Sequence, residues 1–89
     1  MISHIFKTYD EKMLIVVMHL DIGESTARHE HDYPHDCFVT KGRVRLDIGP
    51  ISKELSAGDT ARFPTGATNQ IMALEPAIVL CQHDAERAK

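Results

Sequence analysis

What the chain lacks narrows its class before its contents are read. It has no long apolar run: the densest, 13–18, is followed at once by His19, and a membrane-spanning helix needs about 20 apolar residues. It has no excess of positive charge. Ten Lys and Arg against 13 Asp and Glu leave a formal net charge of −3, with no basic block, so nothing electrostatic points to nucleic acid or an anionic membrane as a partner. The opening residues Met1-Ile2-Ser3-His4 lack the charged start and apolar stretch of a secretory leader, and the expected location is cytoplasmic. Only two cysteines are present, Cys37 and Cys81, and neither belongs to a Cys-x-x-Cys pair. They are too few and too far apart for a disulfide framework, and in the cytosol they are expected to stay reduced. No linker, repeat or low-complexity segment interrupts the 89 residues, so 1–89 is read as one domain with a single modest core.

What is present is an ordinary globular composition, 43% hydrophobic and 26% charged, which excludes a disordered chain. Gly, Pro, Asp and Asn recur between short apolar or alternating runs, the punctuation of an all-β protein. Strands are expected at 13–22, 36–40, 43–48, 51–55, 60–63, 69–74 and 77–83, and the tail 84–89 as a frayed helical turn. Run 43–48 alternates cleanly, with Val44, Leu46 and Ile48 on one face and Arg43, Arg45 and Asp47 on the other, which is the pattern of a strand buried on one side. So many short strands are best relieved of exposed edges by closure into a small barrel or sandwich.

The chemistry-bearing feature is a run of histidines, His29-Glu30-His31-Asp32-Tyr33-Pro34-His35. On an extended segment, residues i and i+2 share a face about 6–7 Å apart, so His29 and His31 can converge on one ion. His35 would be out of reach on a continuous strand. Pro34 fixes its own φ and holds Tyr33 extended, and a bend there returns His35 to the pair. His19 and Asp21 share a strand face and are expected at the surface or at a barrel mouth; His4 and His83 are expected in solvent. Asp32 or Asp36 could orient an imidazole through its free N–H.

Around this run, Gly23, five residues, His29-x-His31, three residues, His35, six residues and Gly42 resemble the first motif of the cupin superfamily. Gly58, five residues, Pro64-x-Gly66 and then Asn69 resemble the second. Together the motifs span about 23–42 and 58–73. The resemblance implies a small single-domain double-stranded β-helix, the cupin or jelly-roll barrel. It also implies one divalent transition metal (Zn, Fe, Ni, Cu or Mn), with His29, His31, His35 and Asn69 as the candidate ligand positions. Two positions depart from the family pattern: His35 stands where a glutamate is usual and Asn69 where a histidine is usual. Position 73, usually Asn, is Ala.

A neutral three-imidazole set suits a borderline transition metal better than Mg²⁺ or Ca²⁺. If His35 and Asn69 point inward, alternation carries Cys37, Val39 and Ile71 inward too, with Ala61 and Phe63 beside them, as the wall of a pocket for a small organic molecule. Cys37 is read as a small buried hydrophobe, with a ligand or redox-sensitive thiol as the alternative. The resemblance implies a metal-dependent enzyme acting on a small organic molecule, an oxygenase-like dioxygenase or an isomerase. Its alternative is a non-catalytic module that binds or senses a small ligand or metal. Small cupins commonly associate through their sheets, so a homodimer is expected, using the Leu14/Val16/Met18/Leu20 face if that face points outward.

Overall fold

The computed structural model describes residues 1–28, 30 and 33–84. The described residues form eight strands: β1 (Ile2–Lys7), β2 (Met13–Leu20), β3 (His35–Lys41), β4 (Arg43–Ile48), β5 (Ile51–Ser56), β6 (Thr60–Phe63), β7 (Asn69–Ala73) and β8 (Ala77–Asp84). All pairings are antiparallel. They make a five-stranded sheet ordered β1-β2-β8-β3-β6 and a three-stranded sheet ordered β5-β4-β7. From β3 onward the chain crosses between the sheets four times, which is jelly-roll connectivity. The segment after Gly23 extends the smaller sheet. Thr26 N–H donates to the Ile71 carbonyl at 2.9 Å, and Ser25 bridges to Met72.

Alternation explains the core. Met18 and Leu20 of β2, Cys37 and Val39 of β3, Val44 and Leu46 of β4, Ile71 and Ala73 of β7, and Ala77, Val79 and Cys81 of β8 are all buried between the sheets. The seven expected strands are present with ends moved by a residue or two. Strand 13–22 stops at Leu20 because Ile22 and Gly23 form a turn with Gly23 at φ +83°. β1 was not expected. Its residues are all exposed, so no half-buried alternation marks it. The tail 85–89 lies outside the described residues.

Three expectations are corrected here. The Leu14/Val16/Met18/Leu20 face turns inward, with Met18 and Leu20 buried and Val16 packed on the core. Asp47, placed on the solvent face of β4, is itself buried, accepting from the Ser52 hydroxyl and pairing with Arg45. The Ser52 hydroxyl bond, helped by the Arg45 charge, lowers the Asp47 carboxyl pKa. Finally, Cys37 and Cys81 are not separate thiols. They face each other across β3 and β8, Cα atoms 4.2 Å apart, and form a disulfide. The sequence separation of 44 conceals that β3 and β8 are neighbours.

Candidate functional site

The inner face of β3 and β8 is a ladder of matched pairs. Val39 faces Val79 and Cys37 faces Cys81. One rung further in the same register, His35 meets His83, the rings stacked with centroids 4.5 Å apart and planes inclined by 16°. On its other side His35 pairs with Phe63 of β6, centroids 4.6 Å apart. Phe63, His35 and His83 thus form a row across three adjacent strands. Tyr33, buried just before β3, brings its hydroxyl within 3.2 Å of His83 Nδ1. Facing this row from the smaller sheet is β7, with Asn69 and Ile71 buried and pointing inward.

Between them lies a cavity of about 290 Å³ lined by Met1, Val16, Met18, Thr26, Ala27, His35, Phe63, Asn69, Ile71, Cys81 and His83. Val16, Met18, Phe63 and Ile71 give it an apolar wall, and His35, Asn69 and His83 a polar one. None of the described residues lining it carries a carboxylate. Asp36 points away from it, on the outer face of β3. There it binds Arg62 of β6 through two hydrogen bonds of 2.9 Å, and that guanidinium lowers its pKa.

Of the expected ligand positions, His35 (5% exposed) and Asn69 (4%) line the same cavity. His29 and His31 lie outside the described residues, as does Asp32. Of the expected pocket residues, Phe63 and Ile71 line the cavity. Cys37 and Val39 are buried deeper in the core, and Ala61 packs against that core from its rim. His83, expected in solvent, is a cavity residue, and Cys81, Val16 and Met18 join it. The signal for His83 was present: alternation along 77–83 puts it on the face of Ala77, Val79 and Cys81. Histidines 4 and 19 do lie on the surface, with ring centroids 5.9 Å apart.

Among the described residues, no group of three or more His, Cys, Asp or Glu is gathered to hold a metal. The donor chemistry on the cavity wall is nevertheless that of a borderline transition metal, two imidazoles and an amide with no hard carboxylate.

A family model described as a cupin domain matches residues 16–82. The chain belongs to the cupin family. Among solved structures, this cupin is similar to a cupin superfamily protein from Desulfitobacterium hafniense: TM-score 0.84, 16% identity, covering 93% of this chain and 75% of the other. It is similar to KdgF from Halomonas sp., with TM-score 0.82 and 22% identity, covering 97% and 81%. It also resembles oxalate decarboxylase from Bacillus subtilis, with TM-score 0.76 and 26% identity over 82% of this chain but 21% of that one. No curated protein matches it. On the cupin frame, Gly23 and Gly42 bracket the histidine run, and Gly58 and Gly66 the approach to Asn69. All four adopt positive φ.

Proposed function

We propose that this chain, as one cupin domain over 1–89, holds one divalent transition metal (Zn, Fe, Ni, Cu or Mn) and takes a small organic molecule beside it. His29, His31 and His35 are the proposed ligands, with Asn69 as an oxygen donor or as a hydrogen-bonding partner of what the metal carries. The observation that carries this reading is the placement of His35 and Asn69, both buried, on the polar wall of an otherwise apolar cavity. About 290 Å³ is at the small end of ligand pockets, which favours a compact ligand. A bound metal would supply Lewis-acid or redox chemistry at its open positions. Val16, Met18, Phe63 and Ile71 would exclude water, while Asn69 and Thr26 would orient the ligand's polar groups. The similarity to oxalate decarboxylase supports an enzyme acting on a small molecule, and metal-dependent, oxygenase-like chemistry is retained as its proposed type.

Elemental analysis of untagged protein made without added metal tests this reading. It predicts one metal per chain, lost in His29→Ala and in His31→Ala. Protein without Fe, Mn, Ni, Cu or Zn would refute it. One observation favours the non-catalytic alternative. The described cavity residues offer no carboxylate to act as a general base, and a histidine on the metal serves poorly in that role. A metal-loaded protein that consumes no oxygen and retains its ligand unchanged would decide for a binding or sensing module.

A cytoplasmic location and a homodimer belong to the same proposal. With the Leu14/Val16/Met18/Leu20 face turned inward, the apolar area for association is the outer face of the larger sheet. There Val17, Leu80 and Phe38 lie in register across β2, β8 and β3, and β1 adds Phe6 opposite Ile15.

A further inference from the structure

The cystine and the histidine pair are adjacent rungs on one face, and Cys81 and His83 line the same cavity as His35. We infer that the Cys37–Cys81 disulfide locks an alternative, thiolate-containing ligand set in this cavity, in which reduced Cys81 and His83 join His35 in place of His29 and His31. The inference rests on the reading that this cavity takes a transition metal, but it does not call on His29 or His31.

The geometry supplies the three donors. Cys81 and His83 are at i and i+2 of one strand, about 6–7 Å apart on the same face, the spacing from which two side chains converge on one ion. His35 stands opposite His83, and the short 4.2 Å rung at the cysteines draws the two strands together beneath them. The Tyr33 hydroxyl lies 3.2 Å from His83 Nδ1, a contact of the kind that fixes the ring orientation of ligating histidines. The stacked rings share no in-plane point, so one of them turns about its Cβ–Cγ bond toward the cavity when an ion enters. Donor–metal distances of about 2.0–2.1 Å for imidazole and 2.3 Å for thiolate then close a tetrahedral set with one position open to the cavity. Two imidazoles and one thiolate favour Zn²⁺ among the common divalent ions.

In the oxidised form the Cys81 sulfur is bonded to Cys37 and cannot act as a thiolate. Exchange with a dithiol breaks the Sγ–Sγ bond. Two electrons and two protons pass to Cys37 and Cys81, and the dithiol leaves as its own disulfide. Metal binding then releases the Cys81 proton to solvent. Disulfides in a reducing cytosol are mostly transient and redox-sensing, and one placed against two imidazoles converts redox state into metal occupancy.

Cobalt(II) titration tests this, because sulfur-to-cobalt charge transfer adds a near-ultraviolet band that nitrogen and oxygen ligands do not give. The reductant is a water-soluble phosphine, which takes up oxygen from water and leaves no competing thiol. Reduced protein should develop the band to one Co²⁺ per chain and the oxidised protein should not. Cys81→Ser should abolish it. Cys37→Ser, which leaves Cys81 without its lock, should show the band with no reductant present. Tyr33→Phe should weaken cobalt binding by about 10–100-fold, as loss of a ligand-orienting partner does. Cobalt bound by the reduced protein with visible bands but no sulfur band would overturn this inference and leave the proposed function standing. A sulfur band that survives Cys81→Ser, or cobalt affinity unchanged in Tyr33→Phe, would overturn the ligand assignment. No cobalt binding in either form would overturn both readings.

Discussion

Replacing Gly42 with alanine should destabilise the protein far more than the same change at Gly58, although both glycines close a strand at positive φ. Gly42 has φ +78° and Gly58 φ +98°, a region in which a Cβ costs about 1–2 kcal/mol. The lower entropy of the unfolded alanine chain returns about 0.4–1 kcal/mol at each site. The surroundings differ. At Gly58 a Cβ would meet nothing within 4 Å, whereas at Gly42 it would overlap the Pro76 carbonyl oxygen and lie 2.9 Å from Ala77 Cα. Both obstacles are backbone and cannot rotate away. Opening that gap is an overpacking change of about 1–3 kcal/mol. Gly42→Ala should therefore lose about 1–4.5 kcal/mol and Gly58→Ala about 0–1.5 kcal/mol. For a domain of this size each kcal/mol moves Tm by about 4–8 °C, so the overpacking difference should separate the two variants by about 4–24 °C in thermal melts followed by circular dichroism. Equal melting temperatures would refute the argument that β8 packs directly against the Gly42 backbone. That packing matters to the site, because Gly42 ends the β3 arm that carries His35 and touches the residues that lead into β8 and His83.

Further outcomes follow from the same packing. Phe63, 1% exposed against the His35 ring, should cost about 3–5 kcal/mol as Phe63→Ala, read from urea midpoints; a loss below about 1 kcal/mol would mean that the cavity collapses to fill the space. Reducing the disulfide releases a loop with a sequence separation of 44, worth up to about 4 kcal/mol in the chain-entropy account, and urea unfolding with and without phosphine measures it. Arg62 lowers the Asp36 pKa, so the pair's contribution is present above the ordinary aspartate value of about 3.9 and is lost as pH falls through the lower folded value. The stability gap between wild type and Asp36→Asn should accordingly narrow only below about pH 4, and a gap that narrows near neutrality would refute this origin. Sedimentation should show a dimer that Val17→Lys converts to monomer; a wild-type monomer would remove the association proposal.

The fold was legible because its signals are local. Alternation at Val44, Leu46 and Ile48 and the turns at Gly23, Gly42, Gly58 and Gly66 depend on neighbours in sequence, and each reads directly as strand or turn. What was hidden depends on which strands become neighbours. The Leu14/Val16/Met18/Leu20 stripe is apolar, as an interface would be, but its opposite face carries Ile15 and Val17 and is almost as apolar. Periodicity alone could not say which face meets the smaller sheet. Asp47 was hidden for a related reason. Its burial comes from Ser52 on the hairpin partner and from Arg45, a local polar cluster that looks on paper like an ordinary solvent face.

The site divides along the same line. His35 was legible from the histidine run and the bend at Pro34, and Asn69 from the resemblance of Gly58, Pro64-x-Gly66 and Asn69 to the second cupin motif. His83 was missed because its meaning comes from β3, whose His35 stands 48 positions earlier in the chain and becomes its neighbour only when β3 and β8 pair. The register that seats Cys37 on Cys81 also seats His35 on His83, so one unread strand pairing concealed both the disulfide and the second imidazole. A sequence search for metal sites that counts ligands within one run sees only the histidines of 29–35. An antiparallel sheet supplies another route to a ligand cluster, in which His-x-Cys on one strand opposes Cys-x-His on its neighbour. The chain carries that pattern in His35-x-Cys37 and Cys81-x-His83. It becomes visible once β3 and β8 are known to pair.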